Sequence, residues 1–271
     1  MKVQYLGTAA AEGFPALFCR CKYCLESRRL GGKNIRTRSQ TLINDDLLID
    51  FPGDTYHHFL QNGIEGDKIK YLLITHPHHD HFYPDDLSMR FGAYAHEMRA
   101  PVLQIFCTRV AYEKLGKIPQ NVEATVIEPY VPFTLENYRI TALPARHMPG
   151  GEPVIYIIED GDKTLLYAHD TGYFFDEVFD YIQSNHIHFD MVSMDCTNVD
   201  IPVPNEGGHM GIPNIDQALK RLSEMGAVTE KTIKYVNHFS HNANPLHHVL
   251  TERAASIDCL VSYDGCQVEI L

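Results

Sequence analysis

Tyr71-Leu72-Leu73-Ile74-Thr75-His76-Pro77-His78-His79-Asp80-His81 is the stretch that decides how this chain is read. Its first five residues are an apolar run rich in strand formers and stopped by polar loop chemistry, which predicts a buried strand over 69–75 running into the hexad 76–81. Folds of the α/β class keep their sites at the carboxyl ends of such strands. Imidazoles and a carboxylate crowded into six residues are costly without a cation. They suit divalent transition metals, which lower the pKa of a bound water to about 7 and so supply hydroxide at neutral pH.

The spacing H-x-H-x-D-H resembles the metallo-β-lactamase superfamily, whose members use it to seat two metals and hydrolyse esters, amides or phosphodiesters. The resemblance requires three more ligands in order, a His, an Asp and a His, each at a strand end. Ala142-Leu143-Pro144-Ala145-Arg146-His147 offers the first, Leu165-Leu166-Tyr167-Ala168-His169-Asp170 the second and Ile233-Lys234-Tyr235-Val236-Asn237-His238 the third. Carried over position by position, it implies one metal on His76, His78 and His147, a second on Asp80, His81 and His238, and Asp170 bridging them. Alternating residues of an extended loop project to one side, so His76 and His78 can share an ion while Asp80 and His81 turn toward its neighbour. His79 then points away, and His169 is read as structural. The implied fold is an α/β αββα sandwich of two mixed β-sheets flanked by helices.

Near the amino terminus Cys19-Arg20-Cys21-Lys22-Tyr23-Cys24 forms a C-x-C-x-x-C triplet. Three neighbouring thiols call for a soft metal, or are plain reduced thiols, or include one disulfide. A tetrahedral site needs a fourth ligand, and His241 in His238-Phe239-Ser240-His241 is the candidate, giving a closed Cys3His structural zinc. Cys107, Cys196, Cys259 and Cys266 lie in or beside apolar stretches and read as buried free thiols. An odd total of seven cysteines argues against a full disulfide framework.

Gly7-Thr8-Ala9-Ala10-Ala11-Glu12-Gly13-Phe14-Pro15, the cysteine triplet, the hexad and H-x-S-H together resemble the PhnP group of phosphoribosyl cyclic phosphate phosphodiesterases. The opening segment and the triplet also resemble a protein of pyrroloquinoline quinone biosynthesis. The PhnP resemblance implies phosphodiester cleavage by a metal-bridging hydroxide on two catalytic metals, manganese or zinc, beside the structural zinc. It also implies a His in the loop after a D-C-[ST] strand end; Asp195-Cys196-Thr197 followed by Gly207-Gly208-His209 matches. His209 is thus the expected general acid, and Asp80 is counted with it as catalytic. Asp195 either orients a ligating imidazole or caps the loop that follows. The chain departs from the pattern at Asn198, where a His is expected, and through a longer loop over 198–208.

At 271 residues and 44% hydrophobic the chain can bury a large core, and no linker, repeat or low-complexity tract divides it, so one hydrolase domain over 1–271 is expected. Met1 to Leu6 leads directly into a strand, which predicts a cytoplasmic protein. No apolar run approaches the roughly 20 residues of a membrane span. A net charge of −12, with 23 Lys and Arg in no basic run, argues against an extended nucleic-acid partner and for a small phosphodiester substrate. A homodimer is expected by analogy. Competing functions are an RNA-processing nuclease, a thioester or lactone hydrolase, and a non-catalytic accessory protein of cofactor biosynthesis.

Periodicity and turn chemistry predict strands at 3–6, 39–43, 47–50, 69–75, 102–106, 122–127, 138–144, 154–159, 164–167, 191–194, 233–236 and 260–261. Helices are predicted from Asp54 to near Gly63, 85–98, 108–115, 174–183, 215–225 and 246–257.

Overall fold

The computed structural model describes residues 1–271. Two seven-stranded sheets face each other. The first runs in the order β14-β1-β2-β3-β4-β5-β6, from strands β1 (Lys2–Gly7), β2 (Gln40–Ile43), β3 (Leu47–Ile49), β4 (Tyr71–Leu73), β5 (Leu103–Cys107), β6 (Val122–Val126) and β14 (Gln267–Glu269). The second runs β13-β12-β11-β10-β9-β8-β7, from β7 (Phe133–Leu135), β8 (Tyr138–Pro144), β9 (Val154–Asp160), β10 (Lys163–Ala168), β11 (Met191–Asp195), β12 (Ile233–Asn237) and β13 (Leu260–Val261). In both sheets antiparallel pairs give way to parallel ones, at β3·β4 and at β10·β11.

Strand β10 shows why the sheets stack. Leu165 and Tyr167 face the space between the sheets, where they join Tyr5, Ile43, Ile49 and Tyr156. Leu166 and Ala168 face the other way, into a cluster with residues of helices α4 (Asp176–Ser184), α5 (Ile212–Glu224) and α6 (His247–Ala255). A strand buried on both faces loses the polar alternation of a half-exposed one, which is how this run reads in the sequence. The first sheet is covered outside by α3 (Arg109–Lys114), whose Ala111 packs with Leu72, Ile105 and Val122. Helix, sheet, sheet and helix form the four layers of the αββα sandwich.

Three sequence expectations differ. The segment 85–98 forms a 3-10 helix over Pro84–Arg90 and no α-helix, because only Leu87 is buried while Phe91 and Tyr94 stay exposed, leaving no buried apolar face to repay helix nucleation. Helix α5 starts three residues early, at Ile212, where the amide of Gly211 donates to Asn214 Oδ1 at 3.1 Å. The strand expected to reach Thr75 leaves the ladder after Leu73, since the Thr75 amide donates to the Asp50 side chain instead of a neighbouring strand. Helices α1 (Lys22–Leu30) and α2 (Thr55–Asn62) complete the structure, α1 unforeseen and α2 close to its expected bounds. No helix is long and apolar enough to cross a membrane.

Candidate metal centre

The carboxyl ends of the strands open onto one edge of the sandwich, and the chain turns sharply there. Asp50 after β3, Asp170 after β10 and His238 after β12 all hold positive φ, at 66°, 52° and 64°. Non-glycine residues adopt this left-handed region at a cost, and such strain gathers at functional sites. Each turn swings its side chain off the end of a buried strand and toward the others.

Seven residues from four such places meet. His76, His78, His147 and Asp170 form one group and Asp80, His81, Asp170 and His238 a second, each with its ligand atoms within 4.8 Å of one another. Asp170 belongs to both. Its Oδ2 lies 3.1 Å from His76 Nε2, 3.2 Å from His147 Nε2, 3.3 Å from His81 Nε2 and 3.9 Å from His238 Nε2. His78 Nδ1 closes the first group at 3.0 Å from His76 Nε2 and 3.1 Å from His147 Nε2. His79 stands outside, its side chain 74% exposed.

The far side of each ring fixes what these nitrogens carry. His81 Nδ1 donates to Asp50 Oδ2 at 2.7 Å, and His147 Nδ1 donates to the carbonyl of Gly208 at 3.1 Å. His76 Nδ1 meets Thr75 Oγ1 at 3.0 Å, a hydroxyl that donates onward to Asp50, and His238 Nδ1 meets Thr197 Oγ1 at 2.8 Å, a hydroxyl that donates to Asp195. With the protons on Nδ1, four Nε2 lone pairs converge on carboxylate lone pairs, which repel unless positive charge sits between them. Atoms around a tetrahedral cation at about 2.0–2.1 Å lie about 3.3 Å apart. The donor set and its spacing therefore fit divalent cations.

Burial holds His76 down to about 4 and also lowers His147, keeping both neutral as ligation requires. For Asp170 burial acts upward, but the surrounding imidazoles of His238, His209, His76 and His81 overcome it and hold the carboxylate well below its ordinary range. His81 is driven the other way, since Asp50 and Asp80 outweigh its burial and favour positive charge there, which a second proton on Nε2 supplies unless a cation takes that place.

His209 reaches the rim of the same cluster. A glycine makes this possible: a Cβ on Gly172 would come within 1.8 Å of the Gly207 carbonyl oxygen, so only glycine lets the 207–209 loop lie against the Asp170 turn. His209 Nδ1 sits 3.0 Å from Asp170 Oδ1 and 3.6 Å from Asp195 Oδ2, and its side chain is 32% exposed. Burial opposes its protonation, yet the two carboxylates raise its pKa to about 10. Asp195 does both things expected of it: Oδ2 lies 3.3 Å from His238 Nδ1, and Oδ1 accepts the Thr197 and Met210 amides of the following loop.

The supports of this site carry little signal in the sequence. Asp50 has no motif around it, and only its position at the end of Leu47-Leu48-Ile49 marks it. Lys114 donates from Nζ to the carbonyls of Pro77 and Phe82 at 2.5 and 2.9 Å, tying α3 to both ends of the hexad. His58, expected to face solvent or a helix neighbour, is buried, with Nδ1 2.6 Å from Gln40 Oε1 and Nε2 2.7 Å from Thr37 Oγ1. His169 is buried as a structural group, with Asn237 Nδ2 donating to its Nδ1 and its Nε2 donating to Ser193 Oγ.

Three residues beyond His238 along the same loop, His241 forms a separate group with Cys19, Cys21 and Cys24. His241 Nδ1 is 3.6 Å from both Cys21 Sγ and Cys24 Sγ, matching the roughly 3.5–3.6 Å expected around a tetrahedral zinc bound by sulfur and nitrogen. All seven cysteines are free thiols, and Cys107, Cys196, Cys259 and Cys266 are buried. Cys21 Sγ also caps α1 by accepting the Cys24 amide at 3.5 Å. Burial works against ionising Cys21, but the hydrogen bonds from His241 and the Cys24 amide prevail and lower its pKa, while burial raises that of Cys24.

Residues 49–239, which hold all seven convergent residues, match the model of the β-lactamase superfamily domain. The chain belongs to the metallo-β-lactamase superfamily. Among curated relatives, coenzyme PQQ synthesis protein B of Acinetobacter baumannii is 23% identical, with 100% of both chains covered. Among solved structures, zinc-bound PqqB from Methylobacterium extorquens superposes with a TM-score of 0.75 at 18% identity, covering 99% of this chain and 100% of that one. A diphosphatase of the PhnP family gives 0.73 at 21% identity, covering 99% and 97%. Human tRNase Z, short form, gives 0.66 at 14%, covering 100% of both. These likenesses carry the fold, that of a metal-dependent hydrolase superfamily.

Proposed function

We propose that this protein is a dinuclear metal-dependent phosphodiesterase acting on a small phosphodiester, with a cyclic ribose phosphate as the favoured candidate. The observation that supports it most is Asp170 Oδ2, a buried carboxylate oxygen ringed by four imidazoles whose free lone pairs face it. His76, His78 and His147 would hold one cation, Asp80, His81 and His238 the other, and Asp170 both, with manganese or zinc as occupants. Two such cations would supply an activated water and balance the charge on phosphate. The remaining work belongs to the chain. Asp50, Thr75, Thr197 and Gly208 keep each imidazole in its ligating tautomer. His209 turns Nδ1 to Asp170 and Asp195, which leaves Nε2 to hand a proton to the departing oxygen. Cys19, Cys21, Cys24 and His241 would hold a structural zinc.

The charge of −12 supports a small substrate over extended nucleic acid, and we place the protein in the cytoplasm, as a homodimer by analogy with the group it resembles. Metal analysis combined with hydrolysis of cyclic and linear phosphodiesters, including a ribose 1,2-cyclic phosphate, tests the reading. Two catalytic equivalents and turnover that vanishes in Asp170→Ala are expected. Cleavage of a structured RNA in preference to every small diester would overturn it, as would preferred turnover of a thioester or lactone. The likeness to PqqB over the whole chain favours a second reading, a protein serving cofactor biosynthesis. Bound metals with no hydrolysis of any member of the panel would select that one.

A further inference from the structure

Next to the ligand His147, a cavity of about 550 Å³ opens between the β8–β9 loop and the loop leading to His209. It shares His147 and Gly208 with the candidate metal centre, so whatever fills it lies directly beside that centre. Its walls are mostly apolar or backbone, with Pro144, Met148, Pro153 and Phe175 among them. One cation, Arg146, stands in these walls.

Arg146 is anchored and unpaired at once. Its amide donates to Thr171 Oγ1 at 3.0 Å, and its carbonyl accepts the Gly172 amide at 2.7 Å, which fastens its backbone to the Asp170 turn. Nε donates to the Tyr173 carbonyl at 3.0 Å, and the guanidinium lies 4.0 Å above the Phe175 ring. No carboxylate comes within 4.0 Å of it, although the chain carries 35 Asp and Glu against 23 Lys and Arg. The two carboxylates in the cavity wall, Glu152 and Glu206, are exposed, and Glu152 accepts the Val110 amide at 3.3 Å. Nε and the ring fix the plane of the guanidinium, and its terminal nitrogens are left as a free donor fork.

We propose that Arg146 is a specificity-determining residue that receives a second oxyanion of the substrate, a phosphate monoester or carboxylate borne on the arm of the scissile diester. This rests on the phosphodiesterase reading of the neighbouring site and names the substrate class it would take. An organic arm lies along the proline, methionine and phenylalanine wall, and its terminal oxyanion accepts two parallel hydrogen bonds from the fork. The metal centre and Arg146 then recognise the two charged ends of one molecule.

The test is binding and turnover in the metal-loaded protein. By calorimetry, propane-1,3-bisphosphonate and 4-phosphonobutyrate should bind wild type about 10–100-fold more tightly than propylphosphonate, the worth of charged hydrogen bonds to one oxyanion. Arg146→Ala should bring all three to similar affinity, and Arg146→Lys should keep part of the preference. Which of the two dianions gains more identifies phosphate or carboxylate as the group received. In turnover of p-nitrophenyl diesters whose second arm ends in hydroxyl, carboxylate or phosphate, the Arg146→Ala loss should fall on KM for the charged arms. Equal discrimination by wild type and a folded Arg146→Ala, or none by wild type, would overturn the proposal. If no diester is cleaved the reading of the metal site falls, and the calorimetry still decides Arg146 on its own.

Discussion

Replacing Asp50 with Asn separates the two halves of the metal centre. Asp50 is fully buried, with Oδ2 taking the His81 Nδ1 proton at 2.7 Å and Oδ1 taking the Thr75 amide at 2.8 Å. Asn keeps one oxygen for Thr75 and tolerates the φ of 66° at this position, so the turn survives. The other arm becomes an N–H donor facing a nitrogen that already carries a proton. His81 must either abandon that contact or move its proton to Nε2, the atom 3.3 Å from Asp170 Oδ2. Loss of such an outer partner costs about 10–100-fold in metal affinity, or about 1.4–2.7 kcal/mol. The loss should fall on the ion shared by Asp80, His81 and His238 and spare the ion on His76, His78 and His147. Competition against a chelator, read as two successive binding steps, resolves them. Equal weakening of both steps, or of neither, would refute the assignment of His81 to one ion through Asp50.

His209→Gln should leave the metal count intact and lower kcat, most for diesters with poor leaving groups; loss of metal would instead make His209 a ligand. Cys21→Ser should remove one zinc equivalent and lower the melting temperature before it affects turnover per catalytic metal, which metal analysis and calorimetry can follow. His58 offers a pH test. Burial depresses its pKa to about 4, so the unfolded chain takes up a proton from near 6.5 downward that the native state refuses. Its contribution is therefore complete above pH 6.5 and is lost as the pH falls toward 4, by an amount on the order of 3 kcal/mol. His58→Gln should flatten the wild-type decline of stability over that window in denaturant titrations, and an unchanged slope would contradict it.

The residues that meet at Asp170 were legible because each stands immediately beyond an apolar strand, where the end of burial and the start of chemistry coincide in the sequence. Their partners were not. Asp50 serves His81 and Thr75 across 31 and 25 positions, and its carboxylate is an ordinary strand-ending Asp until those contacts form. Lys114 sits on a helix and reads as solvated, yet its ammonium closes the hexad loop. Helix α1 is hidden in the sequence because Lys22-Tyr23-Cys24-Leu25-Glu26-Ser27-Arg28-Arg29-Leu30 has little apolar periodicity; it is specified by its ends, a thiol cap at Cys21 and Gly31 beyond the last turn. The short edge strands β7 and β14 carry too few residues to show a period. The helix expected over 85–98 failed for the converse reason, since its apolar residues form a pattern with nothing to cover it.

His241 closes a thiol trio that lies 217 or more positions upstream. During synthesis at about 5–20 residues per second, roughly 10–45 s pass between the emergence of Cys24 and that of its imidazole partner. For that interval the newborn chain carries three closely spaced thiols without the imidazole that meets them in the folded state, and thiolates so placed are open to oxidants and thiophilic ions.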